Sequence, residues 1–350
     1  MTDLSPDAHS GRALISVGDF LQHGFVLPEQ TAALTQVAKD FRLRMSPEMA
    51  AAGSPGVARQ FVPSVQELIE RPEDLTDPIG DDTHAPVPGL THRYPDRVIL
   101  HVTKTCEVYC RFCFRRETVG ETGHLPEEAL TQALDYIART PAIWEVVLTG
   151  GDPLVLSARR LSDLLARIAA IPHVAVVRFH TRVPVVAPHR ITPALIAALK
   201  TRLTPWIVIH TNHPDELTEN ATAALASLAD AGIPLLSQSV LLKGVNDQVE
   251  TLDRLFRRLY ALRVKPYYLH HCDLARGASH FRTTIAAGQA LIAALRGHLP
   301  GPCLPTYILD IPGGYGKSPI GPAYLSHHGA GHWDVLDWRG QSHRYSDPAA

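Results

Sequence analysis

Cys106, Cys110 and Cys113 stand together in Thr105-Cys106-Glu107-Val108-Tyr109-Cys110-Arg111-Phe112-Cys113-Phe114-Arg115-Arg116, with an aromatic residue ahead of the third cysteine. Three thiolates from one loop can hold three irons of a [4Fe–4S] cluster. The fourth iron then has no protein ligand and can bind a small chelating molecule. Structural zinc takes four protein ligands, and no fourth soft partner stands at a matching spacing, because Cys272 and Cys303 lie far away in the chain. A secreted disulfide framework would spread an even number of cysteines, whereas this chain has five.

Two further stretches can do chemistry. Leu148-Thr149-Gly150-Gly151-Asp152-Pro153 pairs two glycines with an acid. Glycines let backbone approach a ligand closely, and a carboxylate suits a cationic amine. Lys317 follows Gly313-Gly314-Tyr315-Gly316. A glycine-flanked lysine past a strand end can form a Schiff base with pyridoxal phosphate (PLP); in isolation it is more often a solvated loop residue.

These residues must be positioned by something regular. Short β-branched runs at Val98–Thr103, Glu145–Leu148, Val174–Phe179, Trp206–Ile209, Ile233–Leu236 and Val264–Leu269 are each followed by a helical pattern, near 126–139, 158–170, 192–201, 219–231, 249–262 and 284–298. A further run, Thr306–Leu309, lies beyond the last helix. Repeated β-then-α units predict an α/β fold of parallel strands with crossover helices, either an open doubly wound sheet or a (β/α) barrel. In both, chemistry belongs at the carboxyl ends of the strands, where the residues above fall. Residues 1–92 read as an N-terminal helical extension, with helical spacing through 31–38 and 65–69 and a Pro/Asp/Gly-rich linker from Pro78 to Pro88. The core spans 93–320, and a short C-terminal segment covers 321–350.

Bulk properties exclude other classes. A net charge of -2 gives no reason to expect nucleic acid or an acidic membrane. The acidic start, Met1-Thr2-Asp3-Leu4-Ser5-Pro6-Asp7, is no signal peptide, and no run reaches the roughly 18–20 apolar residues of a membrane span. A cytoplasmic protein is expected.

The cysteine pattern and the glycine–glycine–acid segment resemble the radical S-adenosylmethionine (SAM) enzymes. The resemblance narrows through Arg93-Tyr94-Pro95-Asp96-Arg97, Arg182-Val183-Pro184-Val185-Val186, His210-Thr211-Asn212-His213-Pro214, Gln238-Ser239-Val240-Leu241-Leu242-Lys243-Gly244-Val245-Asn246, His280-Phe281-Arg282-Thr283 and Asp310-Ile311-Pro312-Gly313-Gly314-Tyr315-Gly316-Lys317. In that order, over about residues 90–345, these segments look like lysine 2,3-aminomutase. The resemblance implies a partial (β/α) barrel of the radical SAM type and an isomerase that interconverts L-lysine and β-lysine by 2,3-amino migration. It implies a [4Fe–4S] cluster on Cys106, Cys110 and Cys113, with SAM contacts from Gly150, Gly151, Asp152, His210 and Gln238. PLP would be held by Lys317, Arg93, Arg97 and His270, the last standing where metabolic members of the family place a tyrosine. Arg115 would clamp the substrate carboxylate, and Asp273 and Asp310 the distal ammonium; a glutamate-specific relative should lack that acidic pair. Expected partners are free L-lysine and a reductant such as flavodoxin or ferredoxin, with a homo-oligomer compatible.

Other features lean differently. The sequence ends before a zinc-binding cysteine tail, and Gln248 replaces a further zinc cysteine, so structural zinc is not expected. The Cys113–Arg116 and Tyr267-Tyr268-Leu269-His270 wording resembles the subgroup that supplies β-lysine to elongation factor P, whereas Asp310–Lys317 resembles the metabolic branch. Other amino-acid substrates, a radical SAM enzyme without PLP, an electron-transfer iron–sulfur protein and a zinc module are the competing readings.

Overall fold

The computed structural model describes residues 11–121, 123–329 and 331–348; the acidic start at residues 1–7 lies outside them. Strands β1 (Leu90–Tyr94), β2 (Arg97–Thr103), β3 (Glu145–Gly150), β4 (Val176–Thr181), β5 (Thr204–His210), β6 (Leu235–Leu241), β7 (Val264–His271), β8 (Thr306–Asp310) and β9 (Lys317–Pro319) form one nine-stranded sheet in sequence order. Strands β2 through β8 run parallel, and antiparallel β1 and β9 flank them.

Each parallel step is made by a helix, at Glu127–Ala138, Ala158–Ala169, Pro193–Ala198, Glu219–Asp230, Val249–Ala261 and Ile285–Leu295. Four of these open with a side-chain cap: Ser157, Thr192, Thr218 and Thr284 accept from the N–H of Arg160, Leu195, Ala221 and Ala287. Their buried leucine and isoleucine faces cover the outside of the sheet, as parallel strands require.

Side chains alternate across a strand, so every second residue points inward: Glu145, Val147 and Thr149 on β3, Val176, Arg178 and His180 on β4, and Leu236, Gln238 and Val240 on β6 all line one cavity. Residues of β1 and of β9 line it too, so the sheet curls into a nearly closed barrel. Among the described residues no ladder joins β9 back to β1. A side chain bridges the seam: the Tyr94 hydroxyl accepts the Lys317 backbone N–H at 2.9 Å. Gly316 sits so close that a Cβ would lie 2.8 Å from that hydroxyl, and its φ of +94° also favours glycine.

The N-terminal extension packs into the same core, with Phe20, Met45 and Phe61 in one apolar cluster with Leu148, Phe179 and Ile207. The expected helix at Thr31–Asp40 forms. The one expected at 65–69 does not. It is a single 3-10 turn, Val65–Leu68, in which Val65, Leu68 and Ile69 face solvent and Glu67 is the buried residue. Ion pairing at Glu67 outweighs the apolar pattern there. The segment 78–88, read as a linker, forms part of the barrel rim: Ile79 lines the cavity, and His84 Nε2 lies 3.0 Å from the Gly314 carbonyl. At the far end, β10 (Leu325–His327), β11 (His332–Leu336) and β12 (Ser342–Ser346) form a small antiparallel sheet. Arg296 ties it to the barrel by stacking on Tyr324.

Candidate active site

The barrel encloses a cavity of about 760 Å³. Cys106, Cys110, Cys113, Arg115, Gly150, Gly151, Asp152, His210, Gln238, Arg93, Arg97, His270, Asp273, Asp310 and Lys317 all line it. Every residue singled out from the sequence therefore meets in one space.

At one end is the loop after β2 with its three cysteines, all unpaired. The N-terminal extension grips this loop. Glu67, with 0% of its side chain exposed, accepts from Arg111 Nε at 3.0 Å, and from Arg111 Nη2 and Arg116 Nη2. The Arg111 backbone N–H donates to the Gln60 carbonyl and that of Tyr109 to the Arg44 carbonyl, both at 2.8 Å. Arg182 spans from Cys110 Sγ at 2.8 Å to Gln60 Oε1 and Glu216 Oε2, each at 2.6 Å. Burial pushes all three thiols up, Cys113 to about 11. Three half-buried thiols on one cavity wall are a donor set whose protons iron can replace, since metals bind thiolate outright. The residues fit an iron–sulfur cluster.

Beside the cysteines, Gly150 and Gly151 bring the end of β3 against the loop: Gly151 N–H donates to the Thr103 carbonyl, and a Cβ on Gly151 would collide with the Thr105 carbonyl. The Asp152 carboxylate is already filled. It accepts from Leu154 N at 3.0 Å, Thr181 Oγ1 at 2.6 Å, Arg182 N at 2.6 Å and Val183 N at 3.2 Å. Asp152 thus pins the ends of β3 and β4 together, and the glycine backbone is what it offers to the cavity. His210 stacks obliquely on Phe112 with centroids 5.8 Å apart, and burial beside Arg182 keeps it neutral.

At the other end is Lys317. Its ammonium contacts Asp310 Oδ1, and His270 Nδ1 is 3.0 Å from Asp310 Oδ2. Burial opposes ionisation of Asp310, but His270 and Lys317 outweigh it and hold the carboxyl well below its usual range. Asp273 goes the other way, pushed up to about 7 by burial and the Asp310 charge. His270 leaves Nε2 buried and unpartnered, as Arg93 leaves Nε. Two orphaned polar groups in a cavity with a lysine fit a polar cofactor such as PLP. Arg93 is inside, 3.7 Å from Asp81. Arg97 is at the rim, paired with Asp96 at 2.7 Å and stacked 3.9 Å from the Tyr94 ring. Arg115 points Nε at Asp81, 2.7 Å away.

Four site features escape motif reading. Asp81 hid in an apparent linker. Glu67 hid in an apolar pattern. Glu145 holds Arg178 bidentately at 2.9 and 2.8 Å, and Arg178 in turn lies 3.4 Å from His180 Nε2. Period-two alternation on β3 and β4 would have placed those three inside the barrel. Nothing in the sequence marks the Arg182–Gln60–Glu216 bridge.

Comparison with known proteins agrees with this geometry. Residues 100–256 match the Radical SAM superfamily model and residues 292–350 the Lysine-2,3-aminomutase model. The chain is 43% identical to L-lysine 2,3-aminomutase of Clostridium subterminale, covering 91% of this chain and 78% of that protein. It is 40% identical to the L-lysine 2,3-aminomutase of Fusobacterium nucleatum, covering 96% and 80%. Glutamate 2,3-aminomutase of Clostridioides difficile is 38% identical over 83% of this chain and 68% of its own length. A three-cysteine loop, a cavity lysine and similarity over nearly the whole length converge: the chain belongs to the lysine 2,3-aminomutase family of radical SAM enzymes.

Proposed function

We propose that the protein is a lysine 2,3-aminomutase acting on free L-lysine to give β-lysine. As a family member it is an isomerase that works with a [4Fe–4S] cluster, SAM and PLP. The observation that carries the substrate is Lys317 itself. The protein's own ε-ammonium sits against Asp310 and within reach of the Asp273 charge, so Asp310 already holds the chemical group a lysine substrate would present. Two buried carboxylates sharing one cation are favoured over two sharing none. Glutamate has no cation to offer there.

Cys106, Cys110 and Cys113 would hold the cluster, and Arg182 would steady Cys110. The backbone of Gly150 and Gly151, with His210 and Gln238, would receive SAM, Asp152 keeping that turn in shape. Lys317 would anchor PLP, Arg93 facing its phosphate and Arg97 guarding the rim, with His270 against the ring. PLP held there would supply the carbonyl chemistry that lets the substrate's amino group migrate. Arg115 would fix the substrate carboxylate at one side and Asp273 with Asp310 the ammonium at the other, leaving the reacting carbons between. The apolar side chains of Ile79, Val147 and Val240 on the cavity wall would face them. No helix among the described residues is long and apolar enough to cross a membrane. Cytoplasmic location and a flavodoxin or ferredoxin donor belong to the same reading, which the five unpaired cysteines support.

The test is an anaerobic assay with SAM, PLP, dithionite and L-lysine, scored for β-lysine by chiral chromatography. Product formation that disappears in Cys110→Ala and Lys317→Ala is expected. A loaded protein that binds lysine nowhere and converts none would overturn the assignment of Asp273 and Asp310.

A further inference from the structure

Asp81 stands behind the cavity wall with its carboxylate between two arginines that line it. Oδ2 accepts from Arg115 Nε at 2.7 Å, and Oδ1 lies 3.7 Å from Arg93 Nη2 with no hydrogen-bond partner. Its side chain is 14% exposed.

The chain is built to hold it there. The Asp77 carboxylate accepts the backbone N–H groups of Asp81 and Asp82, at 2.9 and 3.0 Å. Gly80 packs so tightly on the Lys317 loop that a Cβ would lie 2.7 Å from Gly314 N, and its φ is +66°. Thr91 Oγ1 reaches the Asp81 carbonyl at 3.5 Å and His101 Nε2 at 2.9 Å.

A guanidinium is a planar fork with five donors. Asp81 occupies Nε of Arg115, and Thr149 Oγ1 approaches Nη1 only at 3.4 Å. The paired Nη edge is thereby left toward the cavity, in the geometry that receives a carboxylate through two parallel bonds. The same anion keeps Arg93 and Arg115 near one another despite their like charge.

We propose that Asp81 is a positioning residue that fixes the Nη edge of Arg115 for the α-carboxylate of the amino-acid substrate. The proposal rests on Arg115 being that carboxylate's partner. The carboxylate is unchanged through the reaction, so its anchoring contributes alike to ground and transition states and is read in KM, not kcat.

The experiment compares Asp81→Ala, Asp81→Asn and Asp81→Glu with the wild type in steady-state β-lysine formation. It is paired with titration of each protein by lysine, followed through the absorbance of bound PLP, and with PLP affinity and iron content. Asp81→Ala is expected to raise KM and the titration midpoint about tenfold, with kcat within about twofold. Asp81→Asn, which keeps the shape and an acceptor but loses the charge, should fall between. Asp81→Glu should restore much of the loss. Unchanged midpoints in both Ala and Asn variants overturn the proposal. So does a fall in PLP affinity or iron content that accounts for the whole effect, which would make Asp81 a support for Arg93 or for the fold. If the Ala variant does not accumulate, the isosteric Asn variant decides alone. Should the wild type respond to glutamate and not lysine, the substrate reading fails, while the same comparison on glutamate still tests Asp81, because every α-amino acid carries the carboxylate.

Discussion

The cysteine end of the cavity is clamped from outside, whereas the lysine end is held by few contacts and much glycine. Glu67, Gln60 and Glu216 are fully buried and each bridges distant parts of the chain to the cysteine loop. Around Lys317, by contrast, Gly313, Gly314 and Gly316 all take positive φ, and Tyr315 between them is 81% exposed. The Lys317 side chain itself is 31% exposed. The two ends have different work. A cluster needs three sulfurs at fixed separation in a dry wall, because burial and hydrogen bonds to sulfur set its potential. A cofactor lysine must let go of PLP and take it back, which needs backbone that can rearrange.

Variants can separate the two ends. Lys317→Ala should remove the PLP absorbance and reduce turnover to background, while iron content and the cluster's spectrum stay intact; loss of iron as well would mean the ends are coupled. Glu67→Ala should do the converse. It leaves Arg111 and Arg116 buried without their carboxylate, a loss of about 3–5 kcal/mol. Chemical denaturation should show that drop, and iron loading should fall with it, whereas PLP binding by the protein that remains folded should persist.

A pH series sharpens the lysine end. With Asp273 at about 7, acid returns a proton to it and takes one negative charge from the pair that faces Lys317 and Arg115. Lysine's own ammonium stays charged throughout that range. KM for lysine should therefore rise as pH falls from about 8 to about 6, approaching tenfold per unit at the acid side; a flat profile would place the substrate ammonium elsewhere. The smallest effect is expected at the seam. Tyr94→Phe removes one hydrogen bond to Lys317 N, worth about 0.5–1.5 kcal/mol. It should weaken PLP retention slightly, measured by dialysis, and leave the cluster unchanged.

How far the sequence foretold this depends on the kind of residue. Strands and helices followed their periodicity within a few residues, because buried parallel strands and capped amphipathic helices have strong local signals: Val174–Phe179 became Val176–Thr181, and 284–298 became Ile285–Leu295. The cysteines, the glycine pair and Lys317 could be found because their chemistry demands particular types at particular spacings. Glu67 and Asp81 could not. Each acts through a partner more than 30 residues away, Arg111 and Arg115, and nothing local distinguishes a buried ion pair from a solvated charge. Asp152 stands out by its motif, but the four bonds that its carboxylate accepts, from Leu154, Thr181, Arg182 and Val183, could not be read from the sequence.

Strand order that follows the sequence has a consequence in time. Arg42, Gln60, Glu67 and Glu216, which brace the cysteine loop from outside, leave the ribosome at least about 100 residues ahead of Lys317. At about 5–20 residues per second that is a lead of about 5–20 seconds. On the nascent chain these braces can reach the thiol loop while the barrel is still open on its last side, before the seam at Tyr94 forms.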